Sequence, residues 1–304
     1  MPPLLLVLAR TFHIGGAMLL FGLFFFERFT LRVSGPADEE PFRAFARRLA
    51  RWAFWVLLIE WLSGILWLFV ATSRMTEADP WYAIAFSDLQ TVLGQTQFGR
   101  LWLLRACLAL ALTAVIVTSL RHPRSRLRGA ALLLSCALLI TLAWAGHAGA
   151  GHDLKAARLS ADALHLFTGA VWPLGLIPLA LFLAAPSCRQ SPGFTPVVRR
   201  FSRTSLIAVG LLILTGIVNG WFLVGSWINL FETFYGRLLC GKIILLAVMI
   251  ALGAANRLFL AKSDKLPLAP PAVAAVRRNL LLESLLAAVV LVVVGLMGAT
   301  PPPH

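Results

Sequence analysis

Eight stretches of this 304-residue chain, near residues 4–31, 52–72, 100–120, 129–147, 159–184, 203–224, 237–260 and 279–299, are apolar and almost free of charge. A helix needs about 20 residues to cross roughly 30 Å of hydrocarbon, and each stretch meets that length. In lipid the backbone must satisfy its own hydrogen bonds, so runs of this kind read as helices. The expected fold is all-α: a polytopic membrane protein with eight transmembrane helices in a lipid bilayer. Composition points the same way. Hydrophobic residues make up 59% of the chain and charged residues 13%, against about a quarter charged in a soluble domain. The first run has no basic segment before it and continues past the length of a signal sequence, so it reads as the first membrane helix.

The formal net charge is +14, which would suit a nucleic-acid surface if the charges were gathered on one. They are not. The connections at 28–51, 121–128, 189–203 and 257–278 hold 19 of the 27 Lys and Arg residues and alternate with connections poor in them. That alternation is how orientation in a bilayer is encoded, and it excludes nucleic acid as the expected partner. The basic connections are expected in the cytoplasm, with both termini and the segments 73–99, 148–158 and 225–236 outside. Trp81, Tyr82, Trp227 and Tyr235 in those outer segments fit interfacial anchoring. The four cysteines form no CxxC pair, so neither a disulfide framework nor a zinc ribbon is expected.

The chain also repeats itself. Arg47, Arg48 and Arg51 match Arg199, Arg200 and Arg203 at an offset of 152, and the same offset carries Ser63-Gly64-Ile65 onto Thr215-Gly216-Ile217 and His13 onto His165. Thr96-Gln-Phe-Gly-Arg100 matches Thr233-Phe-Tyr-Gly-Arg237 at an offset of 137, and a basic residue follows five positions later in each, Arg105 and Lys242. Arg128 falls on Arg278, and His147 on Met297, at an offset of 150. These matches divide the chain into residues 1–146 and 147–304, two repeats of four helices. Four spans restore the starting orientation, so the repeats are expected to run parallel, about an axis along the membrane normal.

Imidazole inside an apolar helix is costly unless it faces a partner, a cavity or a metal. Setting aside His122 in a basic loop and the terminal His304, four histidines gather at the outer side. His13 is about nine residues into helix 1, roughly 14 Å below its outer end. His147 closes helix 4, His152 sits in the outer loop, and His165 is about one and a half turns into helix 5. Copper, zinc, iron and nickel all accept imidazole. The glycines between His147 and His152 would let both rings turn toward one ion. Met297 and Met18 offer soft thioethers that favour Cu(I). Arg10 and Asp162, each three residues before a histidine, could pair and dock helix 1 on helix 5. Glu60, a carboxyl near the middle of helix 2, is a candidate proton or cation relay along a transport path with Met18. Glu283 is less diagnostic, and Arg105 and Lys242 read as snorkelling to headgroups. No Walker loop, kinase signature, GxSxG elbow or usable HExxH is present, so an enzyme or an ATP-driven pump is not expected.

Trp144-Ala-Gly-His147, Asp162-Ala-Leu-His165 with Val171-Trp172-Pro-Leu-Gly175, Thr96-Gln-Phe-Gly-Arg100, and His13-Ile-Gly-Gly together resemble the copper-resistance protein D (CopD) family across essentially the full chain. The resemblance implies a bacterial inner-membrane protein of copper homeostasis that moves copper between periplasm and cytoplasm, with a small periplasmic copper-binding (CopC-like) partner. Where the family commonly has Trp-Leu-Gly-Gly, this chain has Trp172-Pro-Leu-Gly, so a kink is expected in helix 5. On this reading His13, His147 and His165 hold copper, helped by His152 or Met297. The alternative is a bis-His haem protein using two of the membrane histidines as axial ligands, an electron carrier or oxidoreductase.

Overall fold

The computed structural model describes residues 4–77, 86–122, 125–145, 155–262 and 270–303. Among them every regular element is helical: α1 (Leu4–Phe25), α2 (Pro36–Thr76), α3 (Phe86–Gln95), α4 (Gln97–Arg121), α5 (Ser125–Ile140), α6 (Leu142–Ala145), α7 (Lys155–Val171), α8 (Leu176–Ala184), α9 (Pro186–Arg189), α10 (Phe194–Val224), α11 (Trp227–Glu232), α12 (Phe234–Lys262) and α13 (Pro270–Gly298). A wider π-helical turn, Phe26–Thr30, ends α1. Eight helical segments are long and apolar enough to cross a membrane, with α5 and α6 making one of them and α7 and α8 another.

The two segments carrying the repeat-related histidines form the centre. The most apolar window of the first span is 61% buried and that of the fifth 72%. They approach closely because Gly22 on α1 lies against the backbone of Ala170 on α7, where a Cβ would come within 2.7 Å of the carbonyl oxygen. Small residues at such crossings let dispersion contacts replace the hydrophobic drive that lipid removes. The fifth span breaks between α7 and α8 at Trp172–Gly175. Pro173 lacks the amide proton a continuous helix needs there, so the interruption expected from the sequence is present.

The sequence marks its helix starts. Thr96 caps α4 by accepting from the Gly99 amide at 2.9 Å, and Thr233 caps α12 by accepting from the Gly236 amide at 2.9 Å. Each glycine is required by close approach, since a Cβ on Gly99 would strike the backbone of α3 and one on Gly236 that of α11. The repeated Thr-x-x-Gly-Arg motif is therefore a capping and packing device, in which the threonine supplies the acceptor an orphan amide lacks.

The start of α1 and the end of α13 share one end of the bundle, where Gly298 packs on Arg10 and Gly295 on Thr11. At the opposite end, Asp38 accepts from Ser34 N (3.0 Å), Gly193 N (2.7 Å) and the Ser191 hydroxyl. Arg128 meets Glu27 at 3.2 Å, and Phe182 stacks on Phe194. These contacts clamp α2 to the loop before α10, and α5 to the end of α1. The two cavities lined by His13 and His165 lie nearer the other end.

Candidate metal centre

His13 and His165 each sit in a small constellation, and the two constellations use residues at the repeat offsets. In the first, α1 contributes His13, α2 contributes Glu60, Ser63 and Gly64, and α4 contributes Arg105. His13 Nδ1 is 3.2 Å from the Glu60 carbonyl and 3.4 Å from Ser63 Oγ. Arg105 reaches His13 Nε2 with Nη2 at 2.8 Å and Nε at 3.1 Å. A guanidinium only donates, so Nε2 carries the lone pair and Nδ1 the proton. Gly64 admits the ring, since a Cβ there would lie 3.0 Å from His13 Cε1.

In the second constellation, α7 contributes His165, α10 contributes Thr215 and Gly216, and α12 contributes Lys242. His165 Nδ1 is 3.0 Å from Thr215 Oγ1, whose own proton goes to the Leu211 carbonyl at 2.7 Å. Nδ1 must therefore donate, leaving Nε2 as the lone pair. Lys242 Nζ is 3.5 Å from that nitrogen. The serine, glycine and arginine around His13 thus become threonine, glycine and lysine around His165.

The two differ in closure. Arg105 also binds Glu60 Oε1 at 2.8 Å, the Leu138 carbonyl at 2.7 Å and Thr141 Oγ1 at 2.7 Å. His13, Glu60 and Arg105 are 5%, 2% and 4% exposed. The cavity beside them is about 20 Å³, room for a single water. Glu60 Oε2 faces Gly16 and the α1 backbone near Ala17. At the position matching Glu60 the second half has Leu212, and there is no comparable lock. His165 instead lines a cavity of about 650 Å³ together with Arg10, Asp162, Lys242 and Met297.

The sequence-expected site residues are therefore distributed. His165 and Met297 share the large cavity. His13 and Glu60 share the small one. Trp67 lies between, edge-on to the His13 ring at 5.3 Å while also lining the large cavity. Met18 is buried between α1 and α7 against Gly169 and lines neither cavity. His147 and His152 lie outside the described residues, as do Trp81 and Tyr82. Among the described residues no group of three or more His, Cys, Asp or Glu side chains is placed to hold a metal ion. The expected Arg10–Asp162 ion pair is not formed; Arg10 stacks on Trp67 at 4.9 Å, and Asp162 accepts from Asn219 at 3.4 Å. Glu283 is held by Asn256 at 2.9 Å, which in turn accepts from Asn279.

Snorkelling is the wrong account of Arg105 and Lys242. Both turn inward, because the imidazole nitrogens and Glu60 offer acceptors that lipid does not. Their fixed spacing after the Gly-Arg pair, in both halves and at the depth of the histidines, was the sequence signal for this role.

Two family models match the chain: residues 1–157 match the copper resistance protein D-like N-terminal domain and residues 195–297 match copper resistance protein D. The chain is 31% identical to Copper resistance protein D of Pseudomonas syringae pv. tomato over 251 residues, which is 80% of this chain and 78% of that one. It is 31% identical to Copper transport protein CutJ of Bacillus subtilis (strain 168) over 58% of this chain and 33% of that longer one. Inner membrane protein YebZ of Escherichia coli (strain K12) is 30% identical over 58% of this chain and 60% of its own length. No solved structure matches. With its eight apolar helices, its paired imidazole constellations and family matches over both halves, the chain belongs to the copper-resistance protein D family.

Proposed function

We propose that this protein binds copper in the large cavity and moves it across the bacterial inner membrane between periplasm and cytoplasm. The observation that carries the reading is the His165 ring. Thr215 fixes its tautomer, so the lone pair is on Nε2, which Lys242 meets at 3.5 Å and would yield to a metal, beside a cavity that Met297 also lines; imidazole with thioether suits copper, Cu(I) in particular. The positive-inside pattern supports a periplasmic position for this cavity, with both termini outside. His147 and His152 are the proposed further ligands, and a CopC-like periplasmic protein is the proposed donor. His13 and Glu60 form an inner station beyond Trp67, which copper reaches only when Arg105 gives up His13 Nε2.

The matched constellations also support a duplicated four-helix unit, residues 1–146 and 147–304, in which the second copy's imidazole lines the larger cavity. The haem alternative has less support. Trp67 stands between the two histidines, and a cavity of about 20 Å³ beside His13 leaves no space for a porphyrin.

Copper flux into vesicles reconstituted with the protein tests this. His165→Ala and Met297→Leu should each reduce uptake severalfold while leaving the protein in the membrane at normal yield. Uptake by both variants equal to wild type would remove the proposed route.

A further inference from the structure

The large cavity has more positive charge than a site built for a bare cation would carry. Arg10, Arg158 and Lys242 line it against one described carboxylate, Asp162. Asp162 supplies counter-charge to Lys242 while also accepting from Asn219 at 3.4 Å, but neither arginine forms an ion pair among the described residues. The Nε atoms of Arg10 and Arg158 are buried without a hydrogen-bond partner. Both guanidinium groups are held in place by stacking, Arg10 over Trp67 at 4.9 Å and Arg158 over Phe222 at 5.3 Å. Guanidinium groups fixed in a partly apolar setting without an acidic partner among the described residues are costly, so an anion belongs there.

The walls say what kind of anion. Ile213, Ile217 and Trp221 on α10 and Ile243 on α12 line the cavity, yet Ile217 is 66% and Trp221 64% exposed. The cavity therefore opens sideways through an apolar gap between membrane helices, where water is not the neighbour. Arg158 is near the start of α7, Arg10 two turns into α1 and Lys242 about 12 Å into α12. The charges thus lie from headgroup depth to just beneath it, with the apolar opening beside them.

We infer that the cavity is a binding site for an anionic phospholipid, its phosphate held by Arg10 and Arg158 and its acyl chain lying along the α10–α12 opening. The site does not depend on copper binding. A bound phosphate also adds negative charge to a cavity lined by three cations and one described carboxylate, which would ease approach of a cation to His165.

The test is lipid retention by the detergent-purified, copper-free protein, read by native mass spectrometry during titration with dioleoyl phosphatidylglycerol or dioleoyl phosphatidylcholine. One phosphatidylglycerol per chain should be retained in preference to phosphatidylcholine. Arg10→Gln and Arg158→Gln should each weaken retention about fivefold, the worth of one basic residue beside an anionic headgroup. Ile217→Trp, which fills the opening and leaves every charge in place, should weaken it too, so the result does not hang on one variant's folding. Equal retention of the two lipids, no effect of either arginine substitution, or displacement of the lipid by millimolar inorganic phosphate would each overturn the inference, the last by showing a free-anion site.

Discussion

Arg105 shows how the same residue type at the same depth can have opposite roles. A lone arginine in a membrane helix reaches for headgroups, but here a carboxylate, an imidazole and a carbonyl meet it inside the bundle. Burying that pair is worthwhile only while it is complete, and removing one partner leaves an uncompensated charge. Arg105→Leu should therefore destabilise the detergent-purified protein by about 3–5 kcal/mol in an unfolding titration. Glu60→Leu together with Arg105→Leu should lose less than Arg105→Leu alone. Additive losses would mean the two side chains do not act as a unit. The depth of His13, Glu60 and His165 was legible in the sequence because a helix converts position into height. Which way Arg105 and Lys242 turn was not, since that depends on acceptors carried by other helices. The separation of His13 from His165 by Trp67 was hidden for the same reason: offsets relate the two residues without giving the distance between them.

At the scale of elements, the eight spans were readable, but the run of α2 back to Pro36 and the short helices α3, α9 and α11 fell in segments read as connections. The Thr-x-x-Gly-Arg motif, noticed as a repeat, is a pair of equivalent helix starts. Removing either threonine acceptor, as Thr96→Ala or Thr233→Ala, should cost about 1 kcal/mol, seen as a small fall in the unfolding midpoint. Gly99→Val should cost more than Thr96→Ala, because the new Cβ would meet the backbone of α3 rather than a movable side chain. If Gly99→Val were the milder change, the close helix approach would not be what fixes that glycine. The break of the fifth span at Pro173 was likewise signalled, because proline removes a donor wherever it falls. The π-helical turn ending α1 was not. Within it, Phe26 packs against Phe45, Phe182 and Phe201 on three other elements, contacts that a single sequence does not display.

For the whole molecule, the clamp at one end and the open cavity at the other give a polarity that matches the distribution of Lys and Arg. The four histidines expected at one site resolve into a locked constellation around His13 and an open one around His165, with His147 and His152 outside the described residues. The central claim is that copper sits at the open one. X-ray absorption at the copper edge, on copper-loaded protein purified in detergent, tests it most directly. Wild type should show nitrogen scatterers with imidazole multiple scattering and a sulfur shell. Met297→Leu should lose the sulfur, and His165→Ala should lose most of the bound copper at unchanged protein yield. Copper retained in His165→Ala with its spectrum unaltered would contradict the account.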